Sequence, residues 1–576
     1  MRLAEALASW SWWRRNVFTT DYRVVGRLYL LLALKAVAIG TILSMFMRIH
    51  LAWPNARLPF WGVMKPEEYL ALLTMHGTMM IFFVLTVAPQ MGFACLIAPA
   101  QIGAKRLSFP RIHAAGFWII AASFVVLLLA AFVPGGAPIS GWTSYPPLSA
   151  IAAAGPGQAM GMDLWLVSIA LFCVGAVLGG VSLLTTIICE RCEGMTWGRL
   201  PLTVWSWLTG ALLTVLAFSV LFDAAVLLLC DRHAGTSFFV PASGVINGML
   251  VNARGHDGSP LLWLHLFWFF GHPVVYIAVL PGMGLASMLL AGFSRRRVPG
   301  YRTMIATTLA IGLLGILLWG HHMFVAGLNP FASSIFAVTT MAIALPSAIK
   351  VMSWLVTVWR APAAMKPRPV PMLWMLGFVS FFIAGGLTGP ILAQPILDSY
   401  LHNTFFVVAH FHLIMAMAGV FSLFGATYYW FPLMTGRMMN ERLGRWHFWL
   451  TIVAAYSTFL PMHLTGLAGE PRQYAQLTGI PGPAGALLAR LQPMQIHVTV
   501  SAFVLIAAQV LFLVNLWRST WSGEVAPENP WEATTLEWAP AGEDLRVVRG
   551  PCEYGEEGLS YPQWEQLVQQ PLDGPE

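Results

Sequence analysis

Val408-Ala409-His410-Phe411-His412 stands near the start of a long apolar run, and Trp319-Gly320-His321-His322 closes another. An ionisable side chain inside hydrocarbon is costly, so four imidazoles in two such runs point to a function within a bilayer. His76, in Leu73-Thr74-Met75-His76-Gly77, and His272, in Gly271-His272-Pro273, lie in equally apolar surroundings. Imidazole is the commonest biological ligand for copper and iron. Six such histidines therefore suggest metal centres held inside a membrane protein.

The rest of the chain supports that setting. Of its 576 residues, 57% are hydrophobic and 10% charged, with mean hydropathy +0.69. Soluble domains carry about 25% charged residues. Apolar runs long enough to cross a bilayer recur about twelve times, from near Leu28 to near Ile496. The expected fold is thus all-α and polytopic, with a catalytic body over 26–518 between a short N-terminal segment, 1–25, and a polar, Pro-rich, extended C-terminal tail, 519–576. The net charge of +7 is a topology signal rather than a nucleic-acid footprint. Basic residues concentrate in alternate connections (Lys105, Arg106 and Arg111; Arg295 to Arg297; Arg360, Lys366 and Arg368; Arg437, Arg442 and Arg445). About fifteen fall in one set of loops and about six in the other, which places both termini in the cytoplasm and the body in the cell's inner (plasma) membrane. Cys189-x-x-Cys192 lacks the second pair a structural zinc site needs. No cleavable leader is read in Met1–Tyr22, and no internal repeat of the transporter kind.

With the amino terminus inside, the helix directions put all six histidines at one depth, outside the midplane, although they come from four remote helices. Residues two apart on a helix point about 200° apart, so His410 and His412 cannot share a metal and suit one axial bond to each of two flanking haems. His321 and His322 are about 100° apart and can converge on one ion. His272 from a neighbouring helix completes a three-imidazole copper site, with Tyr276 one turn further along. His76 is left to pair with one member of the 410/412 couple.

The residues resemble subunit I of the haem–copper terminal oxidases, closest to the A-type branch that oxidises cytochrome c or quinol. The resemblance runs from about residue 20 to 555. It rests on Phe267-Trp268-Phe269-Phe270-Gly271-His272-Pro273, Gly320-His321-His322-Met323-Phe324, Ile349-Lys350-Val351, Gly385-Gly386-Leu387-Thr388-Gly389 and Val407-Val408-Ala409-His410-Phe411-His412. Tyr428-Tyr429-Trp430-Phe431-Pro432 and Asn529-Pro530-Trp531-Glu532-Ala533-Thr534-Thr535-Leu536-Glu537-Trp538 add to it. The resemblance implies dioxygen reduction to water. It implies His76 and His412 on a low-spin haem, His410 on a high-spin haem, and His272, His321 and His322 on copper B. Tyr276 matches the tyrosine joined to its histidine. Arg48 matches the arginine that contacts a haem formyl group, which favours haem A at both positions. Trp142 and Arg472 match residues near the haem propionates, where Gln473 replaces a second arginine. His402 matches a magnesium ligand, but its usual aspartate neighbour is Asn403. Subunit II and subunit III-like partners are implied, with cytochrome c or quinol as the electron donor.

The resemblance also bears on protons. Lys350, with Ser347 three residues earlier and Thr340 nearer the metals, matches the family's lysine channel together with Ser287 and Tyr276. Positions of the second channel are altered throughout: Arg106 at its mouth, Cys95 and His113 for asparagines, Gly175 and Ala176 for serines, Val274 for the upper glutamate. Valine can neither hold nor pass a proton. The expectation is that chemical protons use the lysine route alone and that pumping is absent, reduced or rerouted. Two other readings compete. A nitric-oxide reductase-like enzyme would lack the active-site tyrosine and add a carboxylate, and a multi-helix transporter would leave the six histidines unexplained.

Overall fold

The computed structural model describes residues 10–58, 62–242, 245–246, 249–250, 257–359, 361, 368–475, 481–539, 545–547 and 568–569. Arg360 and Lys366, counted above among the basic loops, lie outside them. Among the described residues twelve helices are long and apolar enough to span a bilayer. We number them α1 (Tyr22–Ala52), α2 (Pro66–Gln101), α3 (Pro110–Leu129), α4 (Met160–Cys189), α5 (Leu202–His233) and α6 (Pro260–Ser294). The second half comprises α7 (Tyr301–Met323), α8 (Pro330–Trp359), α9 (Val370–Leu392), α10 (Phe405–Thr435), α11 (Glu441–Leu467) and α12 (Gln492–Ser522).

Successive helices pack side by side, and α12 returns to pack on α1, so the bundle closes on itself. Inside that ring α2, α6 and α10 touch one another. The most apolar windows of α2 and α6 are 94% and 89% buried, against 11% for α8, so these two are enclosed by protein whereas α8 lies at the outside of the bundle. The central helices carry His76, His272, Tyr276, His410 and His412, and each is locally irregular. In α2 the helix widens to π geometry over Met79–Phe93, around Pro89, just after His76. In α10 the same widening covers His412–Met417 and opens on a candidate ligand. In α6, Pro273 follows His272 directly and divides the helix there. Proline withholds an N–H from the ladder, and π turns recur at functional sites because they re-aim side chains.

The segment after α12 is docked rather than free. Leu536, Glu537 and Trp538 are buried. Trp531 Nε1 donates to the Tyr429 carbonyl at 2.8 Å, and Trp538 Nε1 to the Tyr429 hydroxyl at 3.2 Å. The extended, water-facing tail expected from composition therefore holds an anchored stretch, because its tryptophans find a pocket at the ends of α2, α6 and α10.

Candidate haem and copper site

The trio begins with a change of helix type. The regular turns of α7 end at Leu317, and Trp319–Met323 tightens to 3₁₀ geometry. Adjacent side chains there are about 120° apart rather than the 100° of an α-helix. His321 and His322 nevertheless keep their rings 4.2 Å apart, centroid to centroid. The His272 ring lies 4.6 Å from His321 and 5.5 Å from His322. One nitrogen from each of the three falls within 4.8 Å of the others, the only such group of three metal-binding side chains among the described residues. His272 Nε2 is buried without a protein partner, and its Nδ1 lies 3.3 Å from His322 Nε2. Three imidazoles facing one point, one buried and two half-buried, with no carboxylate in the group, form a donor set suited to copper.

The surroundings orient each ring. Trp268 stacks on His322 at 3.8 Å, and Thr340 Oγ1 lies 3.1 Å from His321 Nδ1. Tyr276 sits with its ring 4.9 Å from that of His272. Gly315 of α7 makes room for the phenol, since a Cβ there would come within 2.8 Å of Tyr276 Cδ2.

The other three histidines share a signature that spacing alone does not reveal. His76 Nδ1 is 2.8 Å from the Gly40 carbonyl, His412 Nδ1 is 2.8 Å from the Val408 carbonyl, and His410 Nδ1 is 3.0 Å from the Gly385 carbonyl. A carbonyl oxygen only accepts, so each Nδ1 carries the proton and each Nε2 presents a lone pair. That is the tautomer an axial haem ligand needs, held by the backbone contact that supports metal-ligating histidines generally. The couple diverges as expected: His410 faces α9 and the side of His272, whereas His412 stacks on Phe459 of α11 at 4.7 Å and faces His76 and Arg48.

Further residues fall around this centre. Trp142 packs edge-on against Phe267 and Trp268. Arg472 donates to the Asn403 side chain at 3.1 Å, and its backbone N–H to the Asn403 carbonyl at 2.7 Å. His402 Nδ1 lies 2.9 Å from Asp398, an acid that the sequence reading did not single out because it stands four residues back, one helical turn. Arg48 reaches α12, where it contacts Gln495 and Thr499. Gln495 in turn bonds Glu470, a fully buried carboxylate that also accepts from the Tyr474 hydroxyl. Glu470 went unnoticed too, since nothing local marks a loop glutamate as buried.

Lys350 is 2% exposed. Its Nζ donates to Thr308 Oγ1 at 2.7 Å and to the Met304 carbonyl at 3.2 Å, both on α7. Thr340 lies at the copper end of α8, the helix that carries Lys350, and Ser287 accepts from Trp354 Nε1 at 2.9 Å, one turn past the lysine. Ser347 is half-buried between them. Thr308 was missed because only the α7–α8 packing brings it to Lys350. At the altered second-channel positions, Arg106 is exposed, with Glu190 3.8 Å away. His113 is buried with neither ring nitrogen partnered by protein. A Cβ on Gly175 would meet the Gly116 carbonyl at 2.7 Å, so α3 and α4 approach too closely there for a serine.

A helical membrane bundle with one three-imidazole site and three further histidines anchored by backbone carbonyls defines the class of haem- and copper-binding redox proteins. The comparisons agree. A model of the family described as "Cytochrome C and Quinol oxidase polypeptide I" matches residues 24–504. The "Alternative cytochrome c oxidase subunit 1" of Bradyrhizobium diazoefficiens is 43% identical over 92% of this chain and 87% of its own length. The "Cytochrome c oxidase subunit 1" of Thermostichus vulcanus is 36% identical over 96% and 95%. A solved structure of a heme-copper terminal oxidase dimer shares the fold, with TM-score 0.67 at 18% identity over 88% of this chain and 85% of that one. The chain belongs to the haem–copper oxidase subunit I family: it is the catalytic subunit of a haem–copper oxygen reductase and an integral membrane protein.

Proposed function

We propose that this subunit reduces dioxygen to water at a centre built from His272, His321, His322 and Tyr276 on one side and His410 on the other. The convergence of the three imidazoles within 4.8 Å carries the reading. In this reading His76 and His412 hold the low-spin haem, His410 the high-spin haem, and the trio copper B. When bound, these groups supply the site where dioxygen docks and the electrons that reduce it. The protein's part is positional. Backbone carbonyls fix the three axial tautomers, Trp268 and Thr340 orient two of the copper imidazoles, and the Tyr276 phenol stands ready to give a proton and an electron. Tyr276 and the lack of a carboxylate in the trio argue against the nitric-oxide reductase-like alternative. The imidazole convergence has no use in the transporter reading.

Arg48, beside His412, supports haem A, while Trp142 and Arg472 suit the haem propionates. A magnesium ion at His402 would draw on Asp398 rather than Asn403, whose side-chain oxygen is taken by Arg472. The charge asymmetry of the loops supports cytoplasmic termini and the inner (plasma) membrane, and the resemblance supports subunits II and III with cytochrome c or quinol as donor.

Each dioxygen takes up four protons, and the buried Lys350 is placed to relay them from the face where α6 and α8 end. Tyr276, Thr340, Thr308, Ser347 and Ser287 line the way. The second route offers Val274 and a close-packed Gly175 instead, so chemical protons use the lysine route alone. The test is an oxygen pulse to the whole complex in liposomes, recording oxygen uptake and external pH together. Cyanide-sensitive uptake without acidification beyond that of donor oxidation is expected. Excess acidification would show a second route at work, and absent uptake would return the nitric-oxide and transporter readings.

A further inference from the structure

We propose that the docked segment Thr534-Thr535-Leu536-Glu537 forms the water-holding mouth of the lysine route, with the Glu537 carboxyl as its proton-accepting group. This rests on reading Lys350 as the centre of that route.

A cavity of about 40 Å³ separates the segment from the ends of α6 and α7, room for two or three waters. Ser287 and Met288 of α6, Arg297, Tyr301 of α7, and Thr534 and Thr535 line it, and Glu537 follows two residues after Thr535. Thr534 Oγ1 and Glu537 Oε2 are buried without a hydrogen-bond partner from the protein. Buried polar atoms of this kind are ordinarily satisfied, by internal water where no protein group serves. The other Glu537 oxygen accepts from Gln101 Nε2 at 2.9 Å and Trp430 Nε1 at 3.3 Å, and Gln101 Oε1 accepts from the Thr203 hydroxyl.

No cation lies within salt-bridge reach of Glu537 among the described residues, and the groups that bond it, Gln101 and Trp430, are neutral. The nearest acid on the segment, Glu532, is exposed and paired with Arg295 at 2.7 Å. Burial pushes the Glu537 carboxyl above the usual carboxylate range. A carboxyl raised in this way exchanges its proton at higher pH than an exposed one, as a proton-accepting mouth requires.

The inner walls of the cavity belong to the helices that hold the lysine. Tyr301 opens α7, and Met304 and Thr308 on that helix accept from Lys350 Nζ. Thr308 stands about 10 Å along the axis from Tyr301. Ser287 reaches α8 through Trp354. In the proposed step the Oε2–H bond breaks as its proton passes to a cavity water. That water hands a proton inward toward Lys350, and the carboxylate regains one from bulk water at the face. The tail also closes the mouth, since Asn529 clasps Ala533 at 2.8 Å and 2.7 Å and holds the segment in its turn.

The experiment reduces the intact complex anaerobically with excess reductant and follows proton uptake with a pH dye. Glu537→Gln should slow uptake about tenfold, while Glu537→Asp stays within about twofold of the unaltered enzyme. Glu532→Gln should match the unaltered enzyme. If Glu537→Gln fails to assemble its haems, Thr535→Val replaces it, and slowed uptake is again expected. Wild-type uptake in Glu537→Gln (or in Thr535→Val where it stands in), or equal slowing by Gln and Asp, would overturn the proposal while a blocked Lys350→Met left the lysine route standing. Unimpaired uptake in Lys350→Met would instead overturn the route itself.

Discussion

Lys350 of α8 and Thr308 of α7 meet through a 2.7 Å hydrogen bond from Nζ to Oγ1, deep between two membrane helices. Among the described residues no acid pairs with the ammonium; its acceptors are a hydroxyl and the Met304 carbonyl. The contact holds the lysine in one place without fixing its proton, which is what a relay requires. Lys350→Met should lower oxygen turnover about a hundredfold or more. Thr308→Val keeps the shape and removes one acceptor, so turnover should fall roughly fivefold. Steady-state oxygen uptake measures both, and near-normal turnover in Lys350→Met would end the single-route account.

Gly315 decides where the Tyr276 phenol lies. A methyl at Gly315 would stand 2.8 Å from Cδ2 and 3.3 Å from Cε2 of that ring. Gly315→Ala should push the ring aside at a cost of about 1–3 kcal/mol, with haem and copper contents kept and turnover lost. Metal analysis beside an oxygen electrode separates these effects. Full turnover would show that the phenol tolerates displacement.

The orientation of the bundle can be read with thiol reagents. Cys189, at the end of α4, is exposed, whereas Cys95 and Cys173 are buried. Burial holds the Cys192 thiol up to about 11, so at pH 8 only about one part in a thousand is thiolate. Among the cysteines of the described residues an impermeant maleimide should therefore label Cys189 first, in inverted vesicles and not in intact cells. Labelling of a Cys189-only variant from outside would reverse the proposed topology.

Docking of the tail should depend on pH. The Glu537 carboxyl is raised by burial, so the folded state binds its proton more tightly than the unfolded chain does. Its stabilisation is fully present below the ordinary carboxylate range and is lost as pH rises through the raised folded value. Proteolysis of the tail should accelerate across that window and become less pH-dependent in Glu537→Gln. An identical pH profile in that variant would place the sensitivity elsewhere.

The sequence alone determined the helices, their number and the ligand candidates. Apolar runs of bilayer length leave no other way to satisfy the backbone, and a histidine in such a run has no cheap explanation. The divergence of His410 and His412 also followed from local geometry. Tertiary packing decided the rest. The 3₁₀ turn at His321 and His322, the π turn opening at His412 and the carbonyls of Gly40 and Gly385 that set the tautomers arise between helices or from strain within them. Thr308, Glu470 and the docked Glu537 were invisible for the same reason. A hydroxyl or carboxylate carries no sequence mark of what it will face, and only the closed bundle brings Thr308 to Lys350 or seats Glu537 on Gln101. Hydrocarbon selects the segments, but contacts between remote segments select the chemistry.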